Sequence, residues 1–319
     1  MKRRDLLKAG LLAAAAIPVL PFRTVLAGMR GTALAPSFLS HALAPDPMLS
    51  IIKGADIAAA VRASVDSLGG MKAFVKSGDV VFLKPNMSFA NPPEWGSTTH
   101  PEVIRTVVKM CAEAGAKRII AADYPMRRAE SCLERSGMNA LAAELPELSF
   151  VQLSEEKHFE RVSAPDAVEF KEIGVAKLLR KADVFINLPS AKAHSGTTVS
   201  FGMKNLMGVI QDRSVFHQEY DLQSAVADLA KLVRPHLTIL DAAYVLLTNG
   251  PGGPGRSEQL NTIIAGTDPL AVDAAGAGIA EWNNRVLKPE DVRHFVLAAE
   301  RGVGSFTVPE EQIIRTTLG

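Results

Sequence analysis

DVFINLPSAKAHSGTTVSFGMKNLMG, residues Asp183 to Gly208, is the stretch on which the reading of this chain turns. It opens with an apolar run, Val184 to Leu188, that has the length and composition of a buried strand. The run stops at Pro189. Lys192, His194, Thr197, Thr198, Ser200, Lys204 and Asn205 follow, interleaved with Gly196, Gly202 and Gly208. This is too polar for a core and too ordered in composition for a linker. Polar groups just past a strand end stand where open α/β sheets bind their ligands. Two lysines, a histidine, hydroxyls and an amide suit an anion. The alternative is a solvated loop leading into an ordinary helix.

Working outward, apolar strand-like runs alternate with amphipathic helical ones. Strands are expected at Val80–Leu83, Arg118–Ala122, Ser149–Leu153, Val184–Leu188, Leu237–Leu240 and Thr262–Ala265. Helices are expected at Pro101–Ala114, Ala129–Glu144, Val175–Lys181, Leu222–Leu232, Leu270–Ala280 and Asp291–Ala299. The alternation predicts an α/β fold: a mainly parallel sheet with helices on both faces, as one large or two closely packed α/β subdomains.

Several of these blocks, in this order, resemble the DUF362 family. VVFLKPN at Val80–Asn86 is similar to its first strand and Lys-Pro-Asn end. TTHPEVIRTVVKMCAEAGAKRIIAAD at Thr98–Asp123 is similar to its Thr-x-Pro-Glu helix and second strand. INLPSAKAHSGTTVSFGMKNLMG matches its central motif, and LTILDA, NGPGGPG and IIAGTDPLAVDAAGA its last third. The family comprises bacterial and archaeal proteins whose name records no activity, so the resemblance implies a fold and leaves the chemistry to the residues. Some relatives carry an iron–sulfur module. This chain departs from them, since it has only Cys111 and Cys132, and no four-cysteine cluster is expected. The two cysteines read as small buried hydrophobes or as a disulfide.

The candidate residues sit at strand ends. Pro85 stops the first strand and holds Lys84 at the sheet edge beside Asn86. Pro101 fits a first helical position, so Thr99 or His100 caps a helix whose free amides could also meet an anion. Lys192 and His194 alternate and would point the same way from an extended loop, while Ser200 and Lys204, one turn apart, would share a helix face. His194, with an ordinary pKa near neutrality, is the first candidate for proton transfer, with Lys192 beside it, and His217 is the second. Thr198, Asn205, Asn249 and Gly252 complete the ligand-binding set. The last two lie in the Gly/Pro loop Asn249–Gly255, which lacks the ending of a P-loop. Lys84, His100, Lys192, His194, Lys204 and Asn205 are expected to converge on one pocket, with Asp241 balancing part of their charge. Asp268-Pro269 reads as a helix start. A metal would draw on His217, Asp241 or Asp273.

At the N-terminus, Arg3-Arg4 precedes an Ala/Leu run and then Val25-Leu26-Ala27, the pattern of a twin-arginine export signal cut after about Ala27. The run is short of the ~20 apolar residues a span needs, and no second apolar run is long enough to be one, so no membrane span is expected after signal removal. An uncleaved, membrane-tethering signal is the alternative to a periplasmic protein. Residues 28–47 read as an exposed tether and 48–319 as the α/β domain. The signal carries Lys2, Arg3, Arg4, Lys8 and Arg23 against Asp5, so its loss turns the formal charge from +1 to −3. A mildly acidic chain with 6% aromatic residues lacks the footprint of a nucleic-acid binder.

Two functions stay open on the sequence. One is an exported enzyme acting on a small carboxylate or phosphate, with His194 moving protons and Lys84, Lys192 and Lys204 as clamps. The other is a non-catalytic periplasmic protein that uses the same pocket for a ligand or metal, or serves as a redox accessory.

Overall fold

The strand Val80–Pro85 shows how the fold begins. Its residues Val81 and Leu83 are buried on one face and Phe82 on the other, as in a parallel sheet covered on both sides. The computed structural model describes residues 49–211 and 213–319. The expected export signal and tether lie outside the described residues.

In chain order the strands are β1 (Leu49–Lys53), β2 (Val80–Pro85), β3 (Arg118–Asp123), β4 (Leu148–Gln152), β5 (Phe159–Ser163), β6 (Glu172–Ala176), β7 (Val184–Leu188), β8 (Ser190–His194), β9 (Thr198–Ser200), β10 (Leu237–Leu246), β11 (Ser257–Gly266) and β12 (Ile313–Thr317). The main sheet runs β12-β1-β11-β10-β7-β2-β3-β4, with β8 pairing β10 and β9 off that path, while β5 and β6 form a separate antiparallel pair. The stretch from β10 through β7, β2 and β3 to β4 is parallel throughout. This is the expected α/β sheet, with an antiparallel wing at one side where β11 pairs both β10 and β1.

Helices cover both faces. Val61 and Val65 of Ile57–Asp66, Val103 and Val107 of Pro101–Glu113, and Leu141 of Met138–Glu144 pack with Val81, Leu83, Ile186 and Ile263. On the other face, residues of Leu222–Leu232, Pro269–Ala277 and Arg293–Glu300 pack with Phe82, Phe185, Leu240 and Ile264. Cys111 and Cys132 are both buried free thiols.

Four local departures have physical causes. The single helix expected over Ala129–Glu144 is two, Ala129–Arg135 and Met138–Glu144, because Gly137 takes φ 80°. Val175 and Ala176, expected in a helix, belong to β6, and only Lys177–Arg180 is helical. β10 and β11 each reach ten residues, longer than their apolar centres, and the Gly/Pro loop between them closes an antiparallel hairpin. Finally, the segment after Pro189 is no solvated loop. It is the strand β8, wholly buried and paired with β10 and β9. A strand made of Lys, His, Ser and Ala carries no apolar signature, and its burial depends on the partner strand laid beside it.

Candidate functional site

The site is built on the carboxyl ends of the parallel strands, where β3 finishes on Asp123 and β2 and β7 carry Lys84 and Asn187 one residue before their ends. Lys84 is the last residue but one of β2 and Asp123 ends β3. Their side chains form a buried ion pair, Nζ to Oδ1 2.8 Å. Lys84 Nζ also donates to the Pro85 carbonyl (2.7 Å) and to Asn205 Oδ1 (3.2 Å). Asp123 Oδ2 accepts from Met87 N (2.7 Å) and Ser88 Oγ (3.3 Å). Burial lowers the Lys84 pKa and Asp123 works against that fall. Asp123, rather than Asp241, is thus the counter-charge of this cluster.

Asn205 ties the motif to this floor. Its Nδ2 donates to the Lys84 carbonyl (3.0 Å) and to Asn187 Oδ1 (2.9 Å) in β7, and its Oδ1 also accepts from Asn86 Nδ2 (3.0 Å). The short helix Gly202–Asn205 that carries Asn205 and Lys204 is seated by Asp273, whose two oxygens accept from Gly202 N (2.7 Å) and Met203 N (2.9 Å). Burial raises the Asp273 carboxyl to about 7. Gly208 lies against the floor. A Cβ there would collide with Asp123 Oδ1 and stand 2.7 Å from Lys84 Nζ, so the residue must be glycine for the motif to close.

Above this floor lies a cavity of about 390 Å³. Lys192, His194, Ser200, Lys204, Arg213 and His217 line it, with Asn86, Asn205, Asn249 and Gly252. Phe89, Met126 and Met207 supply an apolar part of the wall. Among the described residues no aspartate or glutamate lines it. Lys192 and Ser200 are directly paired across β8 and β9, which puts them side by side. Ser200 therefore shares a sheet face with Lys192, and not a helix face with Lys204 as expected. Lys192 Nζ donates to the Ser97 carbonyl and stands 4.9 Å from the centre of the Phe89 ring. Lys204 lines the cavity at 8% exposure and has no hydrogen-bond or ion-pair partner among the described residues.

The electrostatics follow from burial without counter-charge. Burial pushes Lys192 down to about 7, with Asp123 opposing and Lys204 and Lys84 adding to the fall. Burial, then Arg213, pushes Lys204 down to about 7. Burial, then the two lysines, pushes His194 down to about 2. His194 Nδ1 accepts from Gly196 N (2.9 Å) and Thr197 N (3.2 Å), so the neutral ring carries its proton on Nε2. His194 is therefore a neutral hydrogen-bond donor near pH 7, and the titrating groups of the cavity are the lysines. His217 has its Nδ1 2.8 Å from the Arg213 carbonyl, an arrangement in which that nitrogen carries the proton.

Not every expected residue arrives here. Lys84 is sealed beneath the floor. His100 caps the helix Pro101–Glu113, its Nδ1 accepting from Glu102 N (3.2 Å), and its backbone N donates to Asp241 Oδ2 (2.7 Å). It stacks on Tyr244 and does not line the cavity. Asp241 also accepts from Ala243 N (3.0 Å). Thr198 faces His194 across the strand pair, with φ 67°, outside the lining. Asp268 caps Pro269–Ala277 as expected, accepting from Leu270 N at 2.8 Å. Among the described residues no three His, Cys, Asp or Glu side chains gather in a way that could hold a metal. His217 is separate from Asp241 and Asp273, which serve backbone amides.

Arg213 is the residue sequence reasoning missed. Its guanidinium lies 3.8 Å from the Tyr124 ring centre and donates to the carbonyls of Tyr124 and Pro125 (3.1 Å), while its Nε is buried without a partner among the described residues. The signal was an arginine four residues before His217, on the same turn spacing. Arg127 and Phe89 were also missed.

Residues 81–278 match the model of a protein family described as a domain of unknown function, DUF362. The chain is similar to the thylakoid-associated protein sll1697 of Synechocystis sp. (strain ATCC 27184 / PCC 6803 / Kazusa), 31% identical over 222 residues that cover 67% of each chain. Among solved structures, a likeness exists to the lactate racemase apoprotein of Thermoanaerobacterium thermosaccharolyticum, at 14% identity and a TM-score of 0.41. It covers 66% of this chain and about half, 52%, of that one, and at such a score it bears on neither fold nor chemistry. Among the described residues no helix is long and apolar enough to cross a membrane.

Proposed function

The chain belongs to the DUF362 family, and we propose that its central motif builds a pocket for a small organic anion, a carboxylate or a phosphate. The observation that carries this is the pairing of two buried lysines, Lys192 and Lys204, in a cavity with no described carboxylate in its lining. Like charges brought together out of water repel, by roughly 1 kcal/mol per close pair near water and more inside. An anion relieves that repulsion, so it binds together with the protons the lysines have lost. His194 Nε2–H, Ser200 and Asn249 add neutral donors, and Arg213 adds a fixed charge.

Proton exchange at the lysines favours an enzyme over a passive binder, because groups that titrate near pH 7 in a cavity are suited to acid–base work. The role first read for His194 passes to donation of a hydrogen bond. Calorimetric titration of sulfate and phosphate in two buffers of different ionisation enthalpy tests the reading. Binding with uptake of protons near pH 7.5 is expected. No binding, or binding without proton uptake, would remove it.

The protein works outside the cytoplasm on this proposal, exported by Arg3-Arg4 and the apolar run after it. Replacing both arginines by lysine should hold the precursor in the cytoplasm. Export at the normal level after that change would refute the twin-arginine route.

A further inference from the structure

We infer that Lys204 is the nucleophilic amine of the pocket, forming an imine with the carbonyl carbon of a small anion that bears an aldehyde or ketone. The inference rests on the anion-pocket reading and names the substrate class for it.

Three lysines are buried in this part of the molecule, and their surroundings differ. Lys84 is neutralised by Asp123 and donates to two further acceptors. Lys192 Nζ donates a hydrogen bond to the Ser97 carbonyl and lies by the Phe89 ring, both of which favour the ammonium form. Among the described residues Lys204 has neither carboxylate, nor carbonyl, nor ring as a partner. An ammonium with three protons and no acceptor is costly in a buried place. The free amine is what such a place favours, and its lone pair is committed to nothing. Arg213, the charge acting most on Lys204, pushes in the same direction. A desolvated lysine beside another cation is a recognised way to make a nucleophile of it.

The other groups supply what such a step needs. Arg213, whose buried Nε has no partner among the described residues, and Lys192 as ammonium hold the anionic group. His194 presents a neutral Nε2–H to the carbonyl oxygen. Phe89 and Met207 form the apolar side of the cavity and limit water.

The Lys204 Nζ lone pair attacks the carbonyl carbon, and the C=O π pair moves to the oxygen. One proton passes from nitrogen to that oxygen, giving a carbinolamine. The nitrogen lone pair then expels the hydroxyl, which leaves as water with a second proton from nitrogen. One amine and one carbonyl become one C=N bond and one water, with no oxidant or reductant.

The test is borohydride trapping on the full chain at pH 7.5, with pyruvate, glyoxylate or glyceraldehyde 3-phosphate as probe, read by intact mass and peptide mapping. One reduced adduct on Lys204 is expected, at least tenfold above any other lysine. It should be lost in Lys204→Arg and kept in Lys109→Met, which changes an exposed lysine of the helix Pro101–Glu113 outside the cavity. Trapping by the first two probes alone marks a carboxylate substrate, and trapping by the third alone a phosphate. Mapping locates the adduct in the wild-type protein, so the outcome does not depend on a variant folding. Adducts spread over surface lysines, or undiminished in Lys204→Arg, overturn the inference. If sulfate stabilises the protein thermally and no lysine is trapped, the pocket stands and the imine does not. If neither occurs, both fall.

Discussion

Lys84 Nζ and Asp123 Oδ1 lie 2.8 Å apart at the ends of adjoining parallel strands, both side chains buried, directly beneath the segment that carries Lys204 and Asn205. The pair gives one lysine of this region a carboxylate partner, while among the described residues the lysines that line the cavity have none there. Removing either partner strands the other in a buried place. Asp123→Asn should therefore lower stability by about 3–5 kcal/mol. Lys84→Met should also destabilise, and the double variant should be less damaged than the sum of the singles. Urea unfolding of the four proteins measures the cycle. Additive losses would mean that the ion pair is not the coupling.

Gly208 faces that pair. Gly208→Ala places a Cβ into Asp123 Oδ1 and 2.7 Å from Lys84 Nζ. A loss of about 1–3 kcal/mol is expected from overpacking. Gly278→Ala is the control: its Cβ would meet nothing nearer than the Ala275 carbonyl at 3.6 Å, and φ is −85°. That change should be neutral within about 0.5 kcal/mol. Equal Tm values for the two variants would show that the motif does not need its glycine.

The lysines make stability depend on pH in a defined direction. Folded-state values of about 7 for Lys192 and Lys204 lie below the unfolded value near 10.4. Between about pH 7 and 10 the unfolded chain holds more protons than the folded one, so stability of the unliganded protein rises with pH across that window. Asp273, raised to about 7, has the opposite sign in a lower window, where its contribution is lost as pH rises through about 7. Denaturation midpoints at pH 7.5, 8.5 and 9.5 in anion-free buffer should climb, and Lys204→Met should flatten the climb. A wild-type curve as flat as that of the variant would contradict the burial argument.

Sulfate, whose own charge is constant here, should bind best below pH 7. Its affinity should fall by up to about tenfold per pH unit above that for each lysine that must be protonated. Lys192→Ala should weaken binding and reduce the slope. Thermal-shift titration at several pH values and salt concentrations reads both effects, since added salt screens the attraction.

His194 should show no titration of its own between pH 5 and 8, because burial and the two lysines hold it neutral. NMR of its ring carbons tests this directly. His194→Ala should weaken anion binding about five- to tenfold through the loss of one hydrogen bond. His194→Gln, which keeps an N–H donor, should recover part of it. A ring that titrates near pH 6.5 would restore His194 as the proton-transfer group.

The alternation of apolar strands and amphipathic helices was enough to predict the α/β class. The strand Val184–Leu188 and the helix Leu222–Leu232 were legible to the residue because each is bounded by a local stop or cap: Pro189 after the strand, and Asp221, which accepts from Gln223 N and Ser224 N, before the helix. β8 was not legible as a strand. Its polar side chains are buried only because β10 runs on beside it to Leu246, and periodicity within one segment carries no word of its partner. The antiparallel wing escaped for the same reason.

By itself, then, the sequence determined the class of fold, the ends of the central strands and the gathering of lysine, histidine and asparagine in one motif, because these are properties of neighbours along the chain. Tertiary structure alone decided which of those groups are free. Lys84 met Asp123, and Asp273 met the amides of Gly202 and Met203, each across a separation the sequence does not encode locally. Lys192 and Lys204 came together in a cavity lined by no described carboxylate. Charge and pKa depend on distance in space and on burial, and both are set only when the strands have paired.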